Sequence, residues 1–245
     1  MKSSGMVLIG LVTAAGVHAQ TMVYSNDFEA AQGASLDPGG ALLEAVQDFA
    51  GLGSAGNRFD GSFLRSATGN VVTLTLTNLP THSRLNLGLL FAAIDSLDGT
   101  GSFPSGDYFH ITLDGQTLFR ESFANALPSQ VQSYVPTAGV ELARHIDLGF
   151  GGPGGYYTDS AYNLGADSQF QNLAHSAATA SFTFQIEGVG NQSLSDESWA
   201  MDQLRVSVNA VPEPQTYALM VAGLGLLGVV VRRRATAGSP ADRPK

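Results

Sequence analysis

The sequence has 245 residues, a formal net charge of −9 and no cysteine. Residues 20–214 hold 20 Asp and Glu against 6 Arg and no Lys, a formal −14, which disfavours nucleic acid and anionic lipid as partners. The absence of cysteine removes thiol catalysis, thiolate metal sites and disulfides from consideration.

In chain order, Lys2 and the apolar Met6–Val17 run lead to Val17-His18-Ala19, a small-x-small cleavage pattern. The pattern predicts a secretory signal peptide over 1–19, with Gln20 as the mature start. A body over 21–210 follows, long enough for one domain with a good core.

Period-two alternation dominates that body. Val72, Leu74 and Leu76 alternate with threonines, then Leu85, Leu87, Leu89 and Phe91 form a second row. Phe109, Ile111 and Leu113 lead into Asp114-Gly115, a hairpin turn signal, and Leu118-Phe119 follows it. Phe182, Phe184 and Ile186 make another strand, and Leu204, Val206 and Val208 the last. Val23–Phe28 and Phe59–Leu64 are predicted edge strands, and Ala41–Phe49 a short helix. The stretches Ala124–Gly139 and Gly149–Asp167 read as long surface loops, where binding usually resides. The expected fold is all-β: an antiparallel β-sandwich, jelly-roll-like, with no internal repeat.

After the body come Val211-Pro212-Glu213-Pro214, an uncharged run Tyr217–Val231, and Arg232-Arg233-Arg234. The prolines predict an extended, exposed segment. The run is apolar all round and predicts a membrane helix over 216–231, stopped by the arginines, with 235–245 as a cytoplasmic tail. Fifteen residues at about 1.5 Å each span roughly 22 Å, short of a hydrocarbon core of about 30 Å. Snorkelling arginine stems and local bilayer thinning offset the difference. A plain anchor that is never cut is the competing reading of the same residues.

This triplet, apolar run and arginine cluster resemble the PEP-CTERM sorting signal of exported Gram-negative bacterial proteins. The resemblance implies 211–234 as the signal and an exosortase-type membrane protease as partner. It implies anchoring in the bacterial inner membrane facing the periplasm, then release to the cell surface or medium. It also implies a setting rich in extracellular polysaccharide. The body resembles a recurring class of PEP-CTERM ectodomain at Gly61-Ser62-Phe63, Thr73–Pro80 with His82, Ile94–Gly99, Gly106–Phe109, Gln132-Ser133-Tyr134 and Asp196–Asp202. It departs from that class at Leu97, where Trp is expected. The class brings no assigned activity.

Asp202 shares the parity of Leu204, Val206 and Val208, so it is expected to face their core and to need a partner there. The last strand's Asp-x-Leu-x-Val pattern resembles that of carbohydrate-binding jelly rolls, which often hold a structural calcium between first and last strands. That resemblance implies Asp27, Glu29 and Asp202 as Ca²⁺ ligands. The competing readings are an Asp202 solvated just past the sheet edge, or a pair with Arg205 or another arginine. Asp95–Gly99 with Asp107 reads as a tight acidic turn. Tyr156 and Tyr157, on a Gly-rich loop, suit stacking on sugar rings, whereas Trp199 is expected in the core.

No His-Glu-x-x-His, Gly-x-Ser-x-Gly or phosphate-loop motif is present. The sequence predicts a non-enzymatic exported surface or matrix protein. A carbohydrate-binding module with structural calcium, a secreted hydrolase and a purely structural matrix component are the alternatives.

Overall fold

The structure, a computed structural model, describes residues 20–99, 106–151, 157–190, 192–210 and 214–237. The predicted signal peptide, Val211, Pro212, Glu213, Tyr156 and residues 238–245 lie outside the described residues. The strands are β1 (Gln20–Asn26), β2 (Leu36–Asp37), β3 (Leu42–Ala45), β4 (Gly53–Ser54), β5 (Asn57–Arg58), β6 (Ser62–Ala67), β7 (Val72–Leu76), β8 (His82–Asp95), β9 (Tyr108–Leu113), β10 (Gln116–Ser122), β11 (Glu141–Ile146), β12 (Asp159–Asn163), β13 (Leu173–Ala174), β14 (Ala180–Glu187) and β15 (Glu197–Ala210). One helix, α1 (Pro214–Ala237), follows them.

The larger sheet runs β11-β12-β8-β15-β6-β3, with β1 on β15 and β13 on β8. The smaller runs β10-β9-β14-β7-β2. All pairings between these strands are antiparallel, so the body is the expected jelly-roll-like β-sandwich. Asp114 and Gly115, both at positive φ, turn β9 into β10 as the sequence predicts.

The apolar rows build the main core between the sheets. Leu85, Leu87, Leu89, Phe91, Trp199, Met201, Leu204, Val206 and Val208 come from the larger sheet. Leu74, Phe109, Ile111, Phe182, Phe184 and Ile186 meet them from the smaller. A second core lies on the outer face of the larger sheet. There Leu90, Ala92, Ile94 and Ala200 pack under Val46, Phe49, Phe59, Phe63, Leu148 and Phe150. Central strands of this sheet are therefore buried on both faces.

Three expectations need correction. The predicted helix Ala41–Phe49 is β3 followed by a 3-10 turn, Gln47–Phe49. Tertiary pairing overrides local propensity here: β3 lines the edge of β6, and Glu44 meets Arg65 at 3.0 Å. The predicted loop Gly149–Asp167 contains β12, whose small residues Ser160 and Ala161 lie fully buried beside β8. Asp202 does not face the Leu204 row. A bulge at Gln203, which has positive φ, shifts the register between Asp202 and Arg205. Alternation is thereby reset, and Asp202 sits opposite Leu90 on the second core's side.

α1 covers the predicted 216–231 run and continues through the arginines. Leu219, Met220, Val221, Leu224, Leu226, Leu227, Val229 and Val230 are exposed, so its apolar surface is not packed on the body. Among the described residues, no helix is long and apolar enough to cross a membrane.

Candidate functional site

β8 and β15 are antiparallel neighbours, so the loop leaving β8 and the loop entering β15 meet at one end of the sandwich. β9 starts at the same end, just after Asp107. The Asp107 amide donates to the Asp98 carbonyl at 2.8 Å, and the Asp98 amide donates to Asp107 Oδ2 at 2.7 Å. Ser96 Oγ donates to the Asp196 carbonyl at 3.0 Å, joining the other two loops. From the long loop after β10, Gln130 Nε2 donates to Asp98 Oδ1 at 2.7 Å, and Asn125 Nδ2 donates to the Asp95 and Thr158 carbonyls. The segments after β8 and β10 and those before β12 and β15 line an open polar cleft of about 490 Å³, with Ser96, Asp98, Gln130, Tyr157, Gln192 and Asp196 beside Ala126 and Leu127.

Beneath this cleft Asp98, Asp107 and Glu197 converge, with one carboxylate oxygen from each within 4.8 Å of the other two. Asp107 and Glu197 are buried at 3 % and 2 % exposure. Gln192 Nε2 donates to Glu197 Oε1 at 2.7 Å, while Glu197 Oε2 is buried with no partner among the described residues. Burial, then the charge of Asp107, pushes the Glu197 carboxyl up to about 8. Burial lifts Asp107 to about 6, opposed by the Asp98 amide, and raises Asp98 too.

Of the two predicted stacking tyrosines, Tyr157 lies half-buried at the cleft wall. The sequence pattern reached Asp98, Asp107 and the loops, but read the acids as a turn. Glu197 was missed, because its nearness to a loop some ninety residues earlier is set only by β8–β15 pairing.

The predicted Asp27, Glu29 and Asp202 set lies elsewhere. Asp27 and Glu29, with Asp60, Gly61 and Gln203, line an open cleft of about 340 Å³. Asp202, fully buried, accepts from the Asp60 amide at 3.2 Å and the Gln203 amide at 2.6 Å. Glu29 Oε1 accepts from the Ser62 amide at 2.8 Å. Gly61, at positive φ, leaves room for that carboxylate where a Cβ would collide with it. Burial, with smaller contributions from Glu29 and Asp27, pushes the Asp202 carboxyl up to about 7. Arg205 donates to the Gly56 carbonyl and Gln203 Oε1 instead of pairing with Asp202.

These buried acids predict a pH effect. Asp95, Asp202 and Glu197 titrate at about 7, 7 and 8 in the folded chain. Their unfolded values are about 4. Between those limits the folded state binds more protons, so stability falls as pH rises. The melting temperature in chelator is expected to drop from about pH 5 to about pH 8. Thermal unfolding across that range checks it, and a rise would contradict it.

Residues 210–234 match the model of the PEP-CTERM protein-sorting motif. The chain therefore carries an exported-protein sorting signal of the exosortase type. No curated protein matches the sequence. Among solved structures, the K1 cleaved adhesin domain of Lys-gingipain from Porphyromonas gingivalis W83 aligns at 10% identity and TM-score 0.40, over 78% of this chain and 99% of that one. The CBM22-1 xylan-binding domain from Paenibacillus barcinonensis Xyn10C aligns at 11% identity and TM-score 0.35, over 80% and 100%. At those scores neither likeness bears on what this chain does.

Proposed function

We propose that this is an exported protein, anchored for a time in the inner membrane by α1, trimmed by an exosortase-type protease and left at the cell surface or in the extracellular matrix. The sorting motif at 210–234 carries the reading. The exposed apolar side chains of α1 support the anchoring step, since bilayer is the environment that covers them. Its apolar run is short, and the arginines that follow it can snorkel to the interface. In this reading residues 1–19 are a cleaved signal peptide, and the β-sandwich is the delivered, non-catalytic cargo.

Intact mass of the protein recovered from the growth medium tests this. The expected species starts at Gln20 and ends before Arg232. Changing Pro212 and Pro214 to Ala is expected to leave most of the chain uncut and in the membrane fraction. Cytosolic protein retaining both Met1 and Lys245 would refute the reading.

A second reading makes the sandwich a carbohydrate-binding module. Tyr157 on the wall of a polar cleft favours it, because a flat ring beside amide and carboxylate groups suits a sugar. Its structural Ca²⁺ at Asp27, Glu29 and Asp202 would neutralise the buried Asp202 carboxylate. Binding to a glycan panel that weakens on Tyr157→Ala supports this reading, and no binding on the panel rejects it.

A further inference from the structure

We infer that Asp98, Asp107 and Glu197 form a divalent-cation site, with Ca²⁺ as the ion their chemistry favours, at the base of the polar cleft. Three carboxylates drawn from the loop after β8, the lead into β9 and the start of β15 point oxygens into a space under 4.8 Å across. Two oxygens that each lie about 2.4 Å from one Ca²⁺ can be at most about that far apart.

Among the described residues, no arginine or histidine forms an ion pair with any of the three. Among the described residues each carboxylate serves as an acceptor: Gln130 holds Asp98 Oδ1, the Asp98 amide holds Asp107 Oδ2, and Gln192 holds Glu197 Oε1. Each of these contacts fixes a carboxylate without neutralising it. Glu197 Oε2 is the independent sign of a ligand. It belongs to a side chain only 2 % exposed, in the same cluster as two other acids, and has no hydrogen-bond partner among the described residues. A buried acceptor left bare costs free energy that a cation would recover.

The donor set is all oxygen, without imidazole or thiolate. This suits a hard cation and not zinc or copper. Asp98 also lines the open cleft, so an ion has a route in from solvent. The site is distinct from the Asp27, Glu29 and Asp202 group at the other cleft, and it does not depend on how the tail is processed.

The test uses the full chain in mild detergent, stripped with chelator and titrated with Ca²⁺ alone by calorimetry and thermal unfolding. Wild type is expected to bind and to melt at a higher temperature. Glu197→Gln and Asp107→Asn should weaken binding on the order of ten-fold or more, because ligand charge sets affinity. Asp98→Asn, at a half-exposed position that tolerates change, gives the same readout should either buried variant fail to fold. Asp48→Asn, at an exposed position outside both acid groups, should leave this binding intact. Absence of heat and of a thermal shift in wild type overturns the site. So does binding unchanged in Asp98→Asn, or binding lost with Asp48→Asn alone. A response to Mg²⁺ without one to Ca²⁺ overturns the choice of ion.

Discussion

Arg65→Ala is expected to destabilise the sandwich by about 3–5 kcal/mol, the range for removing one partner of a buried ionic network. Arg65 is 8 % exposed, on β6. Its guanidinium donates to Ser198 Oγ at 2.9 Å, Glu44 Oε2 at 3.0 Å and the Leu194 carbonyl at 2.7 Å. It also lies 3.7 Å from Asp95 Oδ2 and 4.2 Å from the centre of the Phe150 ring. Truncation strands the Asp95 carboxylate, which is 1 % exposed and already disfavoured by burial and by Asp159. Arg65 is the group that pulls the Asp95 value down, so its loss raises that value above about 7. The defect should therefore be largest near pH 8 and shrink toward pH 5, where Asp95 takes up a proton. Urea unfolding of both proteins at the two pH values reads this. A loss under about 1 kcal/mol, or one independent of pH, would show that the network contributes little.

Phe109→Ala should cost a similar amount, about 3–5 kcal/mol, by a different route. Phe109 is fully buried where the sheets meet. Its ring centre lies 4.2 Å from Phe91, 5.2 Å from Trp199, 6.3 Å from Phe119 and 6.4 Å from Phe123. Phe91 and Trp199 come from β8 and β15, Phe119 from β10 and Phe123 from the loop just after it, so they cannot close together over the gap without moving backbone. The cavity term therefore adds to the lost transfer free energy. Val189→Ala, on a side chain 77 % exposed, is the matched control and should stay within about 0.5 kcal/mol. Denaturant midpoints compare the two, and equal values would remove the ring cluster's special status.

Strands whose apolar rows alternate cleanly, such as Val72–Leu76 and Phe182–Ile186, were legible because one face of each meets the main core. β12 was not, since a strand squeezed between neighbours needs small residues, and Asp159-Ser160-Ala161 looks like loop. Ala41–Phe49 misled because its apolar residues suit a helix as well as an edge strand, and only the open side of β6 decides between them. The position of Asp202 failed for a sharper reason. Parity counts assume unbroken pleating, and nothing in Met201-Asp202-Gln203-Leu204 announces the extra residue. In the acid cluster, Asp98 and Asp107 stood out, being nine positions apart. Their third member comes from a strand whose partner is chosen by long-range pairing.

β8 and β15, each 14 residues long, are built into both hydrophobic clusters at once. Separating this pair would remove the middle of both clusters at once. The body should consequently melt as one cooperative unit, without a half-unfolded species. For a chain that carries an export sorting motif, such all-or-none behaviour keeps cleavable backbone out of reach until the whole molecule opens.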